Sequence, residues 1–194
     1  MSGLVSKWTE LGILSRLSAV KSLFTEGEDK SKDQFPPGYE AAAKSDKGAL
    51  LFCVQRGRLS EGVDFKDKLA RAVVCIGIPY ANIGDPRVFY KRGFNDRYSV
   101  SQHLQTGARW YSTNAYRALN QSVGRVIRHA EDWGAIIFLD SRLRHRQESS
   151  HLSTWVQPLH EVWQDFGLGR ASLESFFFDR DLSSMNWSQS SSDL

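Results

Sequence analysis

The beginning and the second half of the chain carry apolar residues at the spacing of amphipathic helices. This spacing predicts a first helix over residues 4–24, a helix from Asn114 to His129, a helical stripe from Trp155 to Phe166 and a short helix from Ser172 to Phe178. The apolar positions are Leu4, Trp8, Leu11, Leu14, Leu17, Val20, Leu23 and Phe24 in the first helix, and Ala115, Leu119, Val123 and Val126 or Ile127 in the second.

Three continuous apolar runs have the length of strands: Ala49–Val54, Ala72–Ile78 and Ala135–Leu139. Runs without a polar face are typical of strands that are buried on both sides. Because they alternate with helices, they indicate an α/β fold with a parallel sheet and helices on both of its faces. Such sheets bind ligands at the carboxyl ends of their strands, and the turn after Val54 is one such end.

Polar segments divide the chain. Residues 25–47 are charged, contain Pro36-Pro37-Gly38 and predict a flexible loop with a short helix around Tyr39–Lys44. From Ser183 onward Ser, Asn, Gln and Asp dominate, so we expect a frayed tail. We therefore expect a main domain over residues 1–168, followed by a short helix and a disordered tail over residues 169–194.

Composition narrows the class of protein. The net charge of +3 permits a polyanionic partner without requiring one. No apolar run approaches the roughly 20 residues that cross a bilayer, so we expect no membrane partner. Cys53 and Cys75 stand inside apolar runs and predict buried free thiols, too few for a zinc or iron–sulfur site.

Two segments carry candidate chemistry. The turn from Gly57 to Phe65 combines glycines with Arg58, Ser60 and two carboxylates. Its hydroxyl and exposed N–H groups are suited to a nucleic-acid phosphate. Because carboxylates repel phosphates, Glu61 and Asp64 are better suited to orienting arginines or to accepting hydrogen bonds from ribose hydroxyls. The alternative is an ordinary polar loop.

The second segment places Gln121, Arg125 and Arg128 at spacings of four and three. On a helix these side chains share one face, and guanidinium forks suit phosphate oxygens. The alternative is a solvated helix face.

Two further groups stay open as DNA contacts: the basic cluster Arg142, Arg144, His145 and Arg146, and the aromatic residues Tyr80, Phe89, Tyr90, Phe94 and Tyr98, for which core packing is favoured.

Together the two segments resemble motifs V and VI of superfamily 2 helicases. Motif V corresponds to Gly57–Phe65 and motif VI to Tyr116–His129, with support from Gly77–Tyr80 and from Asp132-Trp-Gly-Ala135. The likeness runs from about Trp8 to Trp163. It is closest to the iron–sulfur DNA helicase branch of the xeroderma pigmentosum group D type, and within it to the Fanconi anaemia group J and telomere-length regulator helicases.

The resemblance implies the second of two RecA-like domains, incomplete at its N-terminal sheet edge. It implies that Arg128 is the arginine finger of an ATP site, that Arg125 contacts the γ-phosphate or motif V, and that Gln121 positions the nucleotide. It also implies that Glu61, Gly62 and Asp64 link the nucleotide to the DNA side, and that Arg58 and Ser60 contact the DNA backbone. Relatives often carry lysine where this chain has Arg58.

The chain lacks a Gly-x-x-x-x-Gly-Lys-Ser/Thr loop and an Asp-Glu-Ala-His box. In the family, the first RecA-like domain binds ATP and Mg²⁺, and other segments supply the ligands of a 4Fe–4S cluster. We therefore expect a fragment that is inactive alone, from a nuclear protein that acts on single-stranded or forked DNA in genome maintenance. The alternatives are a non-catalytic interaction module and a small-molecule α/β enzyme, which the scattered histidines disfavour.

Overall fold

The computed structural model of the chain describes residues 2–27 and 35–190, without the side chains of residues 2, 61 and 181–190. It divides into two compact units, Met1–Ser153 and Thr154–Leu194. The first unit therefore ends earlier than residue 168, the boundary that the sequence indicated. No helix among the described residues is long and apolar enough to cross a membrane.

Four strands, arranged as two two-stranded parallel sheets rather than one continuous sheet, form the frame of the first unit. They are β1 (Ser22–Thr25), β2 (Ala49–Phe52), β3 (Ala72–Ile76) and β4 (Ala135–Leu139). β1 pairs with β2 and β3 pairs with β4, both in parallel. The α/β class with parallel strands is therefore confirmed, as are the three predicted strands. β1 was missed, because Leu23 and Phe24 also fit the helical spacing of the preceding segment.

Seven helices accompany the strands of this unit in the described residues. They are α1 (Ser2–Glu10), α2 (Ile13–Val20), α3 (Tyr39–Ala43), α4 (Arg58–Gly62), α5 (Pro86–Tyr98), α6 (Gly107–Val123) and α7 (Arg146–Ser149). Single 3-10 turns lie at Asp67–Leu69 and Ser141–Arg144. The predicted first helix is interrupted at Gly12, whose φ of 68° lies in the left-handed region and ends one helix before the next begins.

The core of the first unit lies along α6. Ala115, Leu119 and Val123 have no exposed side-chain surface, which confirms them as the apolar face of this helix. The strands are covered less evenly than predicted: in β3, Cys75 is buried, whereas Val74 and Ile76 are 49% and 55% exposed. Because side chains alternate along a strand, the described residues cover only one face of β3.

Part of the predicted flexible loop is anchored. Residues 28–34 lie outside the described part, but Tyr39 in α3 is buried and stacks on Phe35 with ring centroids 4.9 Å apart. Its hydroxyl donates to the carbonyl oxygen of Leu69 at 2.6 Å, and burial raises the pKa of this phenol to about 12. Phe35 also contacts Phe65 edge-on, which ties this segment to the turn after β2.

In the second unit, the predicted helical stripe from Trp155 to Phe166 is wrong. The chain there forms only a 3-10 turn at Gln157–Leu159, which ends where His160 becomes extended. Pro158 at the start of that turn lacks the N–H that a longer helix needs. A helix, α8, instead runs from Phe166 to Ser190. It includes the predicted helix at 172–178 and continues past Ser183, where the sequence predicted fraying.

Candidate functional site

The turn after β2 is held by a carboxylate from the turn after β1. Glu26 accepts hydrogen bonds from the backbone N–H groups of Val54 at 2.9 Å and Leu59 at 3.1 Å. Gln55 in the same turn donates its side-chain N–H to the carbonyl oxygens of Ile76 and Gly77 at 3.3 Å. The turn is therefore fixed to the carboxyl ends of both neighbouring strands. This role of Glu26 was not predicted, because its partners stand 28 and 33 residues away along the chain.

Gly57 is required in this turn by close contacts. A Cβ atom on Gly57 would lie 2.6 Å from the carbonyl oxygen of Val54 and 2.8 Å from Oε2 of Glu26. We expect Gly57→Ala to lower the free energy of unfolding by about 1–3 kcal/mol, as overpacking typically does. Urea unfolding measures the change.

Gly93 in α5 provides the matched control. An added Cβ there meets no atom within 4 Å, so Gly93→Ala should raise the stability by up to about 1 kcal/mol through helix propensity. Equal effects of the two substitutions would show that the turn adjusts freely and that Glu26 does not fix it.

The arginines that follow α6 do not lie on a helix. α6 ends at Val123, so the prediction that Gln121, Arg125 and Arg128 share one helical face is wrong. The carbonyl oxygen of Arg125 accepts a hydrogen bond from Phe65 N–H at 2.9 Å, and Arg128 N–H donates to a side-chain carboxylate. The first bond goes to the turn after β2 and the second to Asp132, four residues farther along the chain, so the helical bonds are not continued through Arg125 and Arg128.

Both arginines nevertheless converge on one carboxylate. Arg125 Nη1 lies 2.9 Å from Oδ1 of Asp64, and Arg128 Nη2 lies 3.1 Å from Oδ2. Hydrogen bonding from Arg125, helped by the charge of Arg128, lowers the pKa of Asp64 below its usual value. The expectation that a carboxylate of this turn orients an arginine is confirmed for Asp64. Asp64 therefore holds both guanidiniums together at one point of the surface.

A second carboxylate, Asp132, holds the backbone of Arg128 and of the neighbouring loop in place. Its side chain has no exposed surface. Oδ1 accepts from Arg71 Nη1 and Trp133 N–H, both at 2.9 Å, and Oδ2 accepts from Arg128 N–H at 3.1 Å and Asp67 N–H at 3.4 Å. Burial alone would raise the pKa of Asp132, but these donors lower it overall. The sequence did not single out Asp132 as a site residue.

Comparison with known proteins now assigns the family. Residues 1–159 match the family described as the helicase C-terminal domain. The chain belongs to this family. This confirms the resemblance to superfamily 2 helicases that motifs V and VI indicated.

Two relatives agree with that assignment. The Fanconi anemia group J protein homolog of Gallus gallus is 40% identical over 181 residues, which cover 89% of this chain and 14% of the relative. The regulator of telomere elongation helicase 1 homolog of Drosophila willistoni is 40% identical over 157 residues, covering 79% of this chain and 16% of the relative. The chain thus spans only 14–16% of the length of these proteins.

A solved XPD helicase structure is a more distant neighbour. It superposes with a TM-score of 0.49 at 23% sequence identity, over 72% of this chain and 24% of that chain. The family assignment stands on the match over residues 1–159.

Other motif residues of this helicase C-terminal domain are engaged in local contacts. Ser60 is buried and its hydroxyl donates to the carbonyl oxygen of Gly57 at 2.8 Å, so a phosphate contact through Ser60 would require that bond to break. Arg58 Nη2 donates to the carbonyl oxygen of Gly27 at 3.3 Å. Gly62 ends α4 at the surface, and the side chain of Glu61 lies outside the described residues.

Gln121 is exposed near the end of α6. It lines a shallow depression with Thr113, Tyr116, Arg117, Asn120 and His151. The structure therefore unites Asp64, Arg125 and Arg128, while Gln121 faces this depression. The nucleotide roles that the resemblance gives these residues stay predictions.

Three residues of types that can bind a metal ion lie close together near Arg128. Atoms of Asp67, His129 and Asp132 lie within 4.8 Å of one another, and His129 Nε2 lies 3.0 Å from Oδ1 of Asp67. Both oxygens of Asp132 already accept two N–H groups each, however. The arrangement is that of a hydrogen-bond centre that joins the loop at 64–67 to the loop at 125–129.

The two cysteines do not take part in this site. Cys53 and Cys75 are free thiols; Cys75 is buried as predicted, whereas Cys53 is only half-buried. Burial raises the pKa of each to about 12. Neither is therefore a reactive thiolate or a ready metal ligand at neutral pH.

Proposed function

We propose that this helicase C-terminal domain forms one wall of an interdomain ATP site in a DNA helicase, with Arg128 as the arginine finger. The proposal rests on one observation: the guanidiniums of Arg125 and Arg128 converge on Asp64. A nucleotide γ-phosphate is an anion that such a pair would stabilise in the transition state of phosphoryl transfer.

The pair is partly preorganised for this role. Arg128 donates from Nη1 to the carbonyl oxygen of Gly124 at 3.0 Å and from Nη2 to Asp64, while its backbone N–H is held by Asp132. A guanidinium that is already oriented loses less side-chain freedom when it meets a phosphate. Arg125, which is bound to the same carboxylate, would contact the γ-phosphate together with Arg128 or hold motif V in position.

The other motif residues would support this wall. Gln121 would help to place the nucleotide, and Glu61, Gly62 and Asp64 would connect it to the DNA side. Arg58 is suited to a contact with the DNA backbone because it offers a fixed positive charge, and Ser60 is a second candidate.

The opposite wall would come from a first RecA-like domain. Because this chain has no Gly-x-x-x-x-Gly-Lys-Ser/Thr loop, that domain would bind Mg²⁺ and most of the ATP. A 4Fe–4S cluster would also take its ligands elsewhere, since Cys53 and Cys75 are too few to hold one. The complete motor would act on single-stranded or forked DNA in the nucleus, in repair or genome maintenance.

A chimera tests this proposal. In it, the matching residues of this chain replace the 157-residue segment of the Drosophila willistoni relative. We expect the chimera to hydrolyse ATP in the presence of single-stranded DNA, and a version that lacks the segment to be inactive. Circular dichroism and gel filtration confirm that both proteins are folded.

The same chimera separates the alternative. If the domain is an interaction module that has lost its motor role, a folded chimera will hydrolyse ATP no faster than the version without the segment. That result would reject the ATP-site proposal.

A further inference from the structure

The helix α5 turns its aromatic residues toward solvent. Asn95 on its inner face is buried, and Val88 and Arg92 beside it are half-buried. On the outer face, Phe89, Tyr90 and Phe94 are 65%, 72% and 43% exposed. Core packing, which the sequence favoured for these aromatic residues, is therefore wrong for these three. Clustered large apolar side chains on a surface usually mark a binding site.

The same outer face is positively charged. Arg87 and Lys91 are exposed and lie four residues apart, and Tyr90 and Phe94 follow them by three residues each. Arg97, also exposed, follows Phe94 by three residues, so these five side chains lie on one side of the helix. Lys91 Nζ lies 5.1 Å from the centroid of the Phe94 ring. This face thus alternates rings with cations.

The two acidic residues of this region are engaged at its ends. Asp85 caps α5 by accepting from Arg87 N–H at 2.8 Å, and Asp96 accepts from Gly107 N–H at 2.7 Å. Both carboxylates therefore stabilise the backbone. The charge of the exposed face is left to Arg87, Lys91 and Arg97.

The helix is a firm platform for this face. The guanidinium of Arg92 lies 5.1 Å from the centroid of the Tyr111 ring in α6. At Gly107 the two helices approach so closely that a Cβ atom there would lie 2.5 Å from the carbonyl oxygen of Arg92. Because the helix is held in place, its aromatic rings lose little conformational entropy when a ligand stacks on them.

We propose that the outer face of α5, formed by Arg87, Tyr90, Lys91, Phe94 and Arg97 with Phe89 at its edge against Tyr90, binds single-stranded DNA. Bases would stack on the rings, and the backbone phosphates would pair with the cations. Charge complementarity favours this occupant, because two copies of a cationic face repel each other. The inference extends the DNA binding within the proposed function to a surface outside motifs V and VI.

Binding of the isolated chain to a labelled oligothymidylate on the order of 15 nucleotides tests this surface. Fluorescence anisotropy at several salt concentrations gives the Kd and its salt dependence. We expect Tyr90→Ala/Phe94→Ala to weaken binding roughly 10-fold or more, with an unchanged salt slope. The control Phe166→Ala, at a residue that is 85% exposed in the second unit, should bind like the wild type.

Charge and base contributions are separable in the same assay. Arg87→Ala/Lys91→Ala/Arg97→Ala should reduce the slope of log K against log salt by roughly 0.7 for each cation that contacts a phosphate. An abasic strand should bind the wild type more weakly than oligothymidylate does, whereas the Tyr90→Ala/Phe94→Ala variant should not distinguish the two strands.

Three results would overturn the inference. They are no binding of the wild-type chain at low salt, equal binding by the folded ring variant, and a self-association of the wild type in sedimentation that the ring variant loses. The last would assign the face to a second copy of the chain. None of these results bears on the ATP-site proposal, which is tested by the ATP turnover of the chimera.

Discussion

Arg128→Ala in the chimera should lower kcat for ATP by about 10³-fold or more, the range over which arginine fingers act. The KM for ATP should change much less, because most of the nucleotide would be bound by the other domain. The fold should survive, since alanine keeps the backbone N–H that donates to Asp132, and the Arg128 side chain is already 37% exposed. Steady-state hydrolysis at saturating ATP measures the effect.

Two further variants make this test specific. Arg128→Lys keeps the charge but loses the fork of donors, so it should recover only part of the lost turnover. Arg16→Ala removes an exposed arginine from α2 and should leave kcat unchanged. Equal ATP turnover by the Arg128→Ala chimera and the Arg16→Ala control would show that Arg128 takes no part in the reaction.

The second large effect concerns stability. Asp132→Ala should lower the free energy of unfolding by about 3 kcal/mol, because it deprives Arg71 and three backbone N–H groups of a buried acceptor. Arg71 is 28% exposed and can regain water, which keeps the loss from being larger. Urea unfolding at neutral pH measures it, with Glu131→Ala, an exposed neighbour, as the control.

The stabilising effect of Asp132 should also depend on pH. Its pKa is lower in the folded state than in the unfolded chain, so its contribution is complete above about pH 4 and is lost as the pH falls further. The difference between wild type and Asp132→Ala should therefore shrink below that pH. A difference that stays constant down to pH values where the protein unfolds would show that the charge of Asp132 is not what stabilises the loops.

Local signals predicted much of the fold. The continuous apolar runs at β2, β3 and β4 are bounded by breakers and were found. β1 was missed because a four-residue strand directly after a helix has no periodicity of its own. The helix predicted from Trp155 to Phe166 is wrong for the opposite reason. The apolar residues there have helical spacing, but the chain forms a short turn at Pro158 instead.

The site depended more on distant contacts. Sequence spacing identified Asp64, Arg125 and Arg128 and their mutual attraction, yet it placed the arginines on a helix. The helix ends because Phe65 and Asp132 bind the backbone of Arg125 and Arg128, and Phe65 stands 60 residues before its partner. Glu26 and Asp132 were missed for the same reason, since each is defined by partners from loops that only the folded chain brings together.

Magnesium-dependent ATP turnover, measured side by side on the isolated chain and on the chimera, tests most directly that this domain supplies one wall of a shared site. We predict turnover by the chimera and none by the isolated chain at the same protein and nucleotide concentrations. Turnover by the isolated chain would contradict this, because it would require a complete ATP site within these 194 residues.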